Sequence, residues 1–187
     1  MGAVPSGWVN VAGKYVVVEK DGAKVLKKLA NNPNPALARA RAYMGMPNLT
    51  NYTIQADVQA TRVGTDLPDM GVIANRYRLF LDGNKQRLRI VSWEAIPRVD
   101  KTIGWPWKPG VWYRVKLTVD VQENQALVRG KVWERGQDEP ADWTVTVTDT
   151  SPNREGSPAL YGYATGILES KVGSEIYFAN VHVTPNK

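Results

Sequence analysis

Punctuation decides what this chain can fold into. From residue 14 onward, short β-rich runs are interrupted every 8–12 residues or so (roughly) by turn-forming residues. Residues 14–19 and 23–29 flank Asp21-Gly22, a strong two-residue hairpin signal. Residues 52–61 alternate strictly, with Tyr52, Ile54, Ala56, Val58 and Ala60 on one face and polar residues on the other, which reads as a half-buried strand. Residues 72–81 and 86–93 read as a strand pair around Asp82-Gly83-Asn84, and 112–121 with 125–133 as another around Glu123-Asn124. Runs at 144–148, 160–164 and 175–184 complete the series, and residues 31–35 are a loop. Residues 36–43 have helical propensity, but Arg39, Arg41 and Tyr43 alternate with Ala, so the segment is read as a strand. Roughly ten to twelve short strands without a fixed repeat or a linker predict one all-β domain over 1–187, with its core between about 8 and 185. The expected architecture is an antiparallel β-sandwich.

Composition narrows the chemistry. The chain of 187 residues has no Cys and one His, which excludes disulfides, a cysteine nucleophile, and Cys-ligated or poly-His metal sites. No apolar run approaches the roughly 18 residues that a membrane-spanning helix needs. Lys and Arg number 24 against 18 acids, for a net charge of +6. These cations are dispersed, with no cluster denser than Lys24, Lys27 and Lys28, and no nucleic-acid-binding signature accompanies them. The charge instead favours acidic glycans or a cell surface. Seven Trp and eight Tyr stand against two Phe. Rings with a polar edge suit half-exposed recognition surfaces.

Three segments occur in a familiar order. Trp112-Tyr113-Arg114-Val115-Lys116-Leu117 follows Lys108-Pro109-Gly110; Lys131-Val132-Trp133 precedes Glu139-Pro140 and Trp143; and Glu175 to Val183 closes the domain. This order resembles the concanavalin A-like, laminin-G-like jelly-roll modules of large bacterial exported proteins. In particular it is similar to the module appended to some pyrroloquinoline-quinone-type β-propeller proteins. The resemblance implies a jelly roll cut from a larger protein with an extracellular or periplasmic setting, and it assigns Trp112, Trp133 and Trp143 to the framework. The superfamily holds lectins, carbohydrate-binding modules, glycosidases and lyases, so the fold leaves the activity open.

Catalytic signals are weak. Glycosidases of this fold present acids alternating along one strand, and no such run exists here. Asp57, on a polar strand face, and Glu94, beside Trp93, are the acids that would need a second carboxylate nearby in space. Lyases of this architecture use a His with a Tyr, whereas His182 sits in the terminal strand, where an edge or outward position is expected. No phosphate loop, nucleophile elbow or metal-ligand spacing is present. The loop 64–70 carries Asp66 and Asp69, too few acids for a full Ca²⁺ shell. No cofactor is expected.

Binding signals are stronger. Trp105-Pro106-Trp107-Lys108-Pro109 cannot continue a strand, so it is either a stiff platform for stacking on sugars or a segment folded back to close one end of the sandwich. Arg39 and Arg41, Arg76 and Arg78, and Arg87 and Arg89 are i, i+2 pairs, each projecting from one face of its strand. They would line a groove near Tyr43 and Trp93, or else pair with Asp57, Gln55 and Gln59 on an outer face. The expected function is a non-catalytic, lectin-like module that binds a polysaccharide, neutral or acidic. Its ligand contacts would be Trp93, Trp105, Trp107, Arg76, Arg78, Arg87, Arg89 and Tyr43. The alternatives are a glycoside hydrolase on the same fold and a structural domain that docks to a neighbouring propeller.

Overall fold

The computed structural model describes residues 2–93 and 95–186, and it is an antiparallel β-sandwich of the jelly-roll type. The seven-stranded sheet runs β1 (Tyr15–Lys20), β2 (Ala23–Lys28), β13 (Ile176–Pro185), β4 (Tyr52–Ala60), β9 (Tyr113–Val121), β10 (Ala126–Glu134), β11 (Val145–Asp149). The six-stranded sheet runs β3 (Arg39–Tyr43), β12 (Ala159–Tyr163), β5 (Asp69–Ala74), β6 (Tyr77–Asp82), β7 (Arg87–Ser92), β8 (Asp100–Gly104). All strand pairs within the sheets are antiparallel, and non-consecutive neighbours such as β13 with β4 and β12 with β5 give the crossed connections of the fold.

The core forms because the alternation in each strand puts one set of side chains between the sheets. Ile54, Ala56 and Val58 of β4 and Val115, Leu117 and Val119 of β9 meet Val72, Leu79, Leu81, Leu88 and Ile90 from the other sheet, all without solvent exposure. Lys28 also points inward beside Ile176 and is fully buried. Burial pushes its ammonium down to about 8.

Several expectations are corrected. Residues 35–38 form a helical turn, α1 (Pro35–Ala38), capped by the Asn34 carboxamide, which accepts from the Ala36 N–H. The strand begins only at Arg39, where the Ala/Arg alternation takes over. Residues 72–81 are two strands, because Asn75 and Arg76 adopt left-handed φ values of 45° and 63° and turn the chain. That geometry is the two-residue hairpin turn. Arg76 is therefore a turn residue and no strand partner of Arg78. Residues 100–104, to which the sequence reading assigned no strand, form the edge strand β8.

The Trp-Pro-Trp platform is also corrected. The Trp105 N–H donates to the Gln86 carbonyl (2.9 Å), and the Trp107 N–H to Gln86 Oε1 (2.8 Å), so the loop folds back on the β6–β7 hairpin. Trp107 is 3 % exposed in the core, and Trp105 packs half-buried against it. The energetic reason is area: an indole buried in the sandwich end gains far more than one held in water.

Candidate functional site

Register places the chemistry on one surface. Residues paired across strands share a face, so the pairings in the six-stranded sheet define rows running across it. One row is Arg41, Tyr161, Gly71, Phe80, Arg89 and Thr102; the next is Tyr43, Ala159, Ile73, Arg78, Val91 and Asp100. Arg39, Tyr163 and Asp69 belong to a third row, as do Asp82 and Arg87. All of these point away from the core, and Ile73, Phe80, Val91, Ala159 and Tyr161 form a small apolar cluster of their own on this outer face.

Trp93 follows β7 and is tied to the sheet by its N–H, which donates to the Arg76 carbonyl (2.9 Å). Its ring stacks on Tyr43 with centroids 6.2 Å apart, and the Arg41 guanidinium lies 4.1 Å from its centroid. In a flat sheet, four strand spacings would separate β3 from β7 by about 19 Å. Trp93 lies just past the end of β7 beside the β5–β6 turn, and from there its ring meets Tyr43 across this face, with Ile73 on the same cavity wall. The result is a groove roofed at one end by an indole that is 45 % exposed.

A cavity of about 290 Å³ opens in this groove between Arg39, Arg41, Arg76 and Arg78, with Ile73, Val91 and Trp93 on its walls. Among the described residues, none of these four arginines has a carboxylate within 4 Å. Ring faces hold Arg39, Arg41 and Arg78 instead. Arg78 lies 4.5 Å from the Phe80 centroid and 4.3 Å from that of Tyr161, and Arg39 lies 4.4 Å from that of Tyr163. The Nε atoms of Arg41 and Arg78 are buried without a hydrogen-bond partner. Burial depresses the Arg78 pKa, the like charges of Arg41 and Arg39 act in the same direction, and Tyr161 and Asp69 oppose them. Concentrated, unneutralised guanidinium charge beside exposed aromatic faces is a seat for an anion on a ring-shaped molecule.

The groove changes character toward β8. Arg87 donates to Asp82 (2.6 Å), and Arg89 is held bidentately by Asp100. Asp69 accepts from the Gly83 N–H (3.0 Å), and burial pushes its carboxyl up to about 6, with Asp82 adding in the same direction. The two acids that interact at this end, Asp69 and Asp82, are thus both engaged by donors of the protein.

Of the sequence-predicted contacts, Tyr43, Arg76, Arg78 and Trp93 come together around the cavity, while Arg87 and Arg89 lie on the same face but are neutralised. Trp105 and Trp107 lie elsewhere. Arg39 and Arg41, expected from their spacing as one of the groove-lining pairs but left out of the expected ligand contacts, line the cavity as well. Sequence reasoning gave no role to Tyr161, Phe80 and Asp69. The expected pairing of arginines with Asp57, Gln55 and Gln59 does not occur, since those three belong to the other sheet. There Asp57 is fully buried and accepts from Arg114 (2.8 Å) and Asn180 (2.7 Å). Glu94 lies outside the described residues. His182 is exposed and opposite Gln55 on the seven-stranded sheet, on a central strand and not an edge, so no imidazole faces Tyr161. Among the described residues no group of three or more His, Cys, Asp or Glu gathers as a metal site.

Trp112, Trp133 and Trp143 cover the outer side of the seven-stranded sheet. Arg135 stacks on Trp112 (5.1 Å), Arg114 on Trp133 (5.9 Å), and both Arg129 and Lys131 on Trp143 (4.8 Å each). This face is braced internally by ion pairs, including Lys116 and Lys131 with Glu139 and Arg129 with Asp120.

No family model matches the sequence, and no curated protein matches it. Solved structures do share the fold. The carbohydrate-binding module CBM66 from Bacillus subtilis superposes with a TM-score of 0.61 at 11 % identity, covering 95 % of this chain and 94 % of that one. Arcelin-5, a lectin-like defence protein from Phaseolus vulgaris, gives 0.57 at 10 % identity over 97 % and 93 %. Alginate lyase A1-II′, of polysaccharide lyase family 7, gives 0.56 at 11 % identity over 95 % and 86 %. Identities this low establish the fold alone, a concanavalin A-like jelly roll that serves carbohydrate-binding modules and lectins as well as lyases.

Proposed function

We propose that this chain is a non-catalytic carbohydrate-binding module whose ligand is an acidic polysaccharide lying along the outer face of the six-stranded sheet. The observation that carries the reading is the cavity formed by Arg39, Arg41, Arg76 and Arg78, with no carboxylate within 4 Å of them among the described residues, beneath the exposed ring of Trp93. A planar guanidinium pairs with a carboxylate or sulfate through two parallel hydrogen bonds, and an indole accepts the apolar face of a sugar ring. The shared fold of a carbohydrate-binding module, a lectin-like protein and an alginate lyase supports a glycan as the ligand. Binding without turnover is favoured by the engagement of Asp69 and Asp82 with Gly83 and Arg87, and by the distance in the fold between His182 and Tyr161. The parent protein would be an exported one, in which this module holds other domains against a polysaccharide.

Affinity electrophoresis through gels containing alginate, polygalacturonate or heparin, and through gels containing neutral glucans, tests this reading. Retardation by acidic polymers is expected, with affinity reduced at least about tenfold in Arg78→Ala and in Trp93→Ala. Retardation by neutral glucans alone, or by none of the polymers, would overturn it.

A further inference from the structure

The groove holds a second cavity next to the first, and the two differ in chemistry. It measures about 430 Å³ and is walled by Tyr43, Pro47, Gly156 and Ser157, with Ile73, Arg76 and Trp93 shared between the two. Apart from Arg76 its lining carries no charge, and its walls are two aromatic rings, a proline and an isoleucine, with the Ser157 hydroxyl at one side. Gly156 permits this shape: a Cβ there would come within 3.1 Å of the Arg76 backbone nitrogen and Cγ. The segment is anchored by the Tyr52 hydroxyl, which donates to the Gly156 carbonyl (2.7 Å), and by the Gly156 N–H, which donates to Leu49 (3.0 Å).

Because the cavities share Ile73, Arg76 and Trp93, whatever fills them consists of adjacent parts of one ligand. A uniform polyuronate would place its next carboxylate against Pro47, Ile73 and the ring faces, where Arg76 offers the one opposite charge in the lining. A group with an apolar methyl and a hydrogen-bond-accepting carbonyl fits better, the methyl meeting Ile73 and Pro47 and the carbonyl meeting Ser157 or Arg76. We infer that the ligand places an acetyl-bearing sugar residue, N- or O-acetylated, in the second cavity directly beside the acidic residue held by the arginines. This rests on the acidic-glycan reading and specifies it further.

Isothermal titration of the full chain with four oligosaccharides of equal length separates the two ideas. These are unmodified alginate, the same alginate O-acetylated, a hyaluronan fragment in which uronate alternates with N-acetylglucosamine, and neutral chitin oligosaccharide. At least one acetylated acidic ligand is expected to bind about tenfold more tightly than unmodified alginate, the gain anticipated for burying a methyl and pairing a carbonyl. Which of the two does so identifies the linkage. Chitin oligosaccharide should bind more weakly than either. Equal or tighter binding of unmodified alginate would overturn the inference and leave the acidic-glycan reading standing. Tightest binding of chitin oligosaccharide, or no binding of any charged ligand, would overturn both. Ser157→Phe, which fills the second cavity, should erase the tenfold preference; a folded variant that retains it contradicts the assignment.

Discussion

Arg78 and Asp69 show how one face can hold opposite electrostatic problems. Arg78 is desolvated by the Phe80 and Tyr161 rings and crowded by Arg41 and Arg39, so an incoming anion relieves repulsion that the fold maintains. Asp69, in the same cross-strand row as Arg39, is desolvated, and burial raises its carboxyl to about 6 from a reference value of 3.8 against the opposing pull of Arg78 and Arg39. The folded state therefore retains a proton that the unfolded chain gives up, so the contribution of Asp69 to stability is fully present below about pH 4 and is lost as pH rises through 6. Urea unfolding should show Asp69→Asn gaining about 1–2 kcal/mol over the wild type at pH 8 and little at pH 4. A constant difference between the two pH values would remove this explanation. The same ionisation places a negative charge in the groove. Acidic-glycan affinity should accordingly fall between pH 5 and pH 7 (roughly) in the wild type, and fall less in Asp69→Asn.

Elements explain which parts of the site were legible. The alternation in β3 and β7 identified the faces of Arg39, Arg41, Arg87 and Arg89, because side-chain period two is a local property of a strand. The β5–β6 turn was hidden because it contains no glycine. Asn75 and Arg76 take left-handed conformations that tertiary contacts enforce: the Asn75 N–H donates to the Tyr52 hydroxyl (3.0 Å), and its carboxamide donates to the Arg154 carbonyl (3.1 Å). The Trp105–Trp107 segment was misjudged for a related reason. Its prolines forecast a stiff loop correctly, but Gln86, distant in sequence, decides where that loop lies. Trp107→Ala should lower stability by about 3–5 kcal/mol while leaving the glycan affinity of the folded protein unchanged. A lost affinity with normal stability would return that loop to the binding face. On the other sheet, Asp57→Ala strands Arg114 and Asn180 and should cost about 3–5 kcal/mol in chemical denaturation. A loss below 1 kcal/mol (roughly) would mean that the network is dispensable.

At the scale of the whole molecule, the two outer faces divide their roles through charge pairing. On the seven-stranded sheet, Arg114, Lys116, Arg129 and Lys131 are each paired with Asp57, Asp120 or Glu139, so the cations of that surface are held by acids of the protein. On the six-stranded sheet four arginines have no carboxylate partner among the described residues, and the net charge of +6 acts at longer range. Acidic-glycan binding should therefore weaken between 50 mM and 300 mM salt (about), since part of it is screened attraction. A salt-independent affinity would transfer the binding energy to stacking on Trp93. Composition gave the sign of this attraction, but only the strand order brought β3, β6 and β7 onto one face.

The most direct test follows the seven indole N–H signals and the backbone amides by NMR while an acidic oligosaccharide is added. The structure predicts that Trp93 shifts, together with the amides of β3, β6 and β12, while Trp105, Trp107 and Trp143 stay in place. Shifts centred on Trp143 and the outer side of the seven-stranded sheet, with Trp93 unmoved, would contradict the assignment of the binding face.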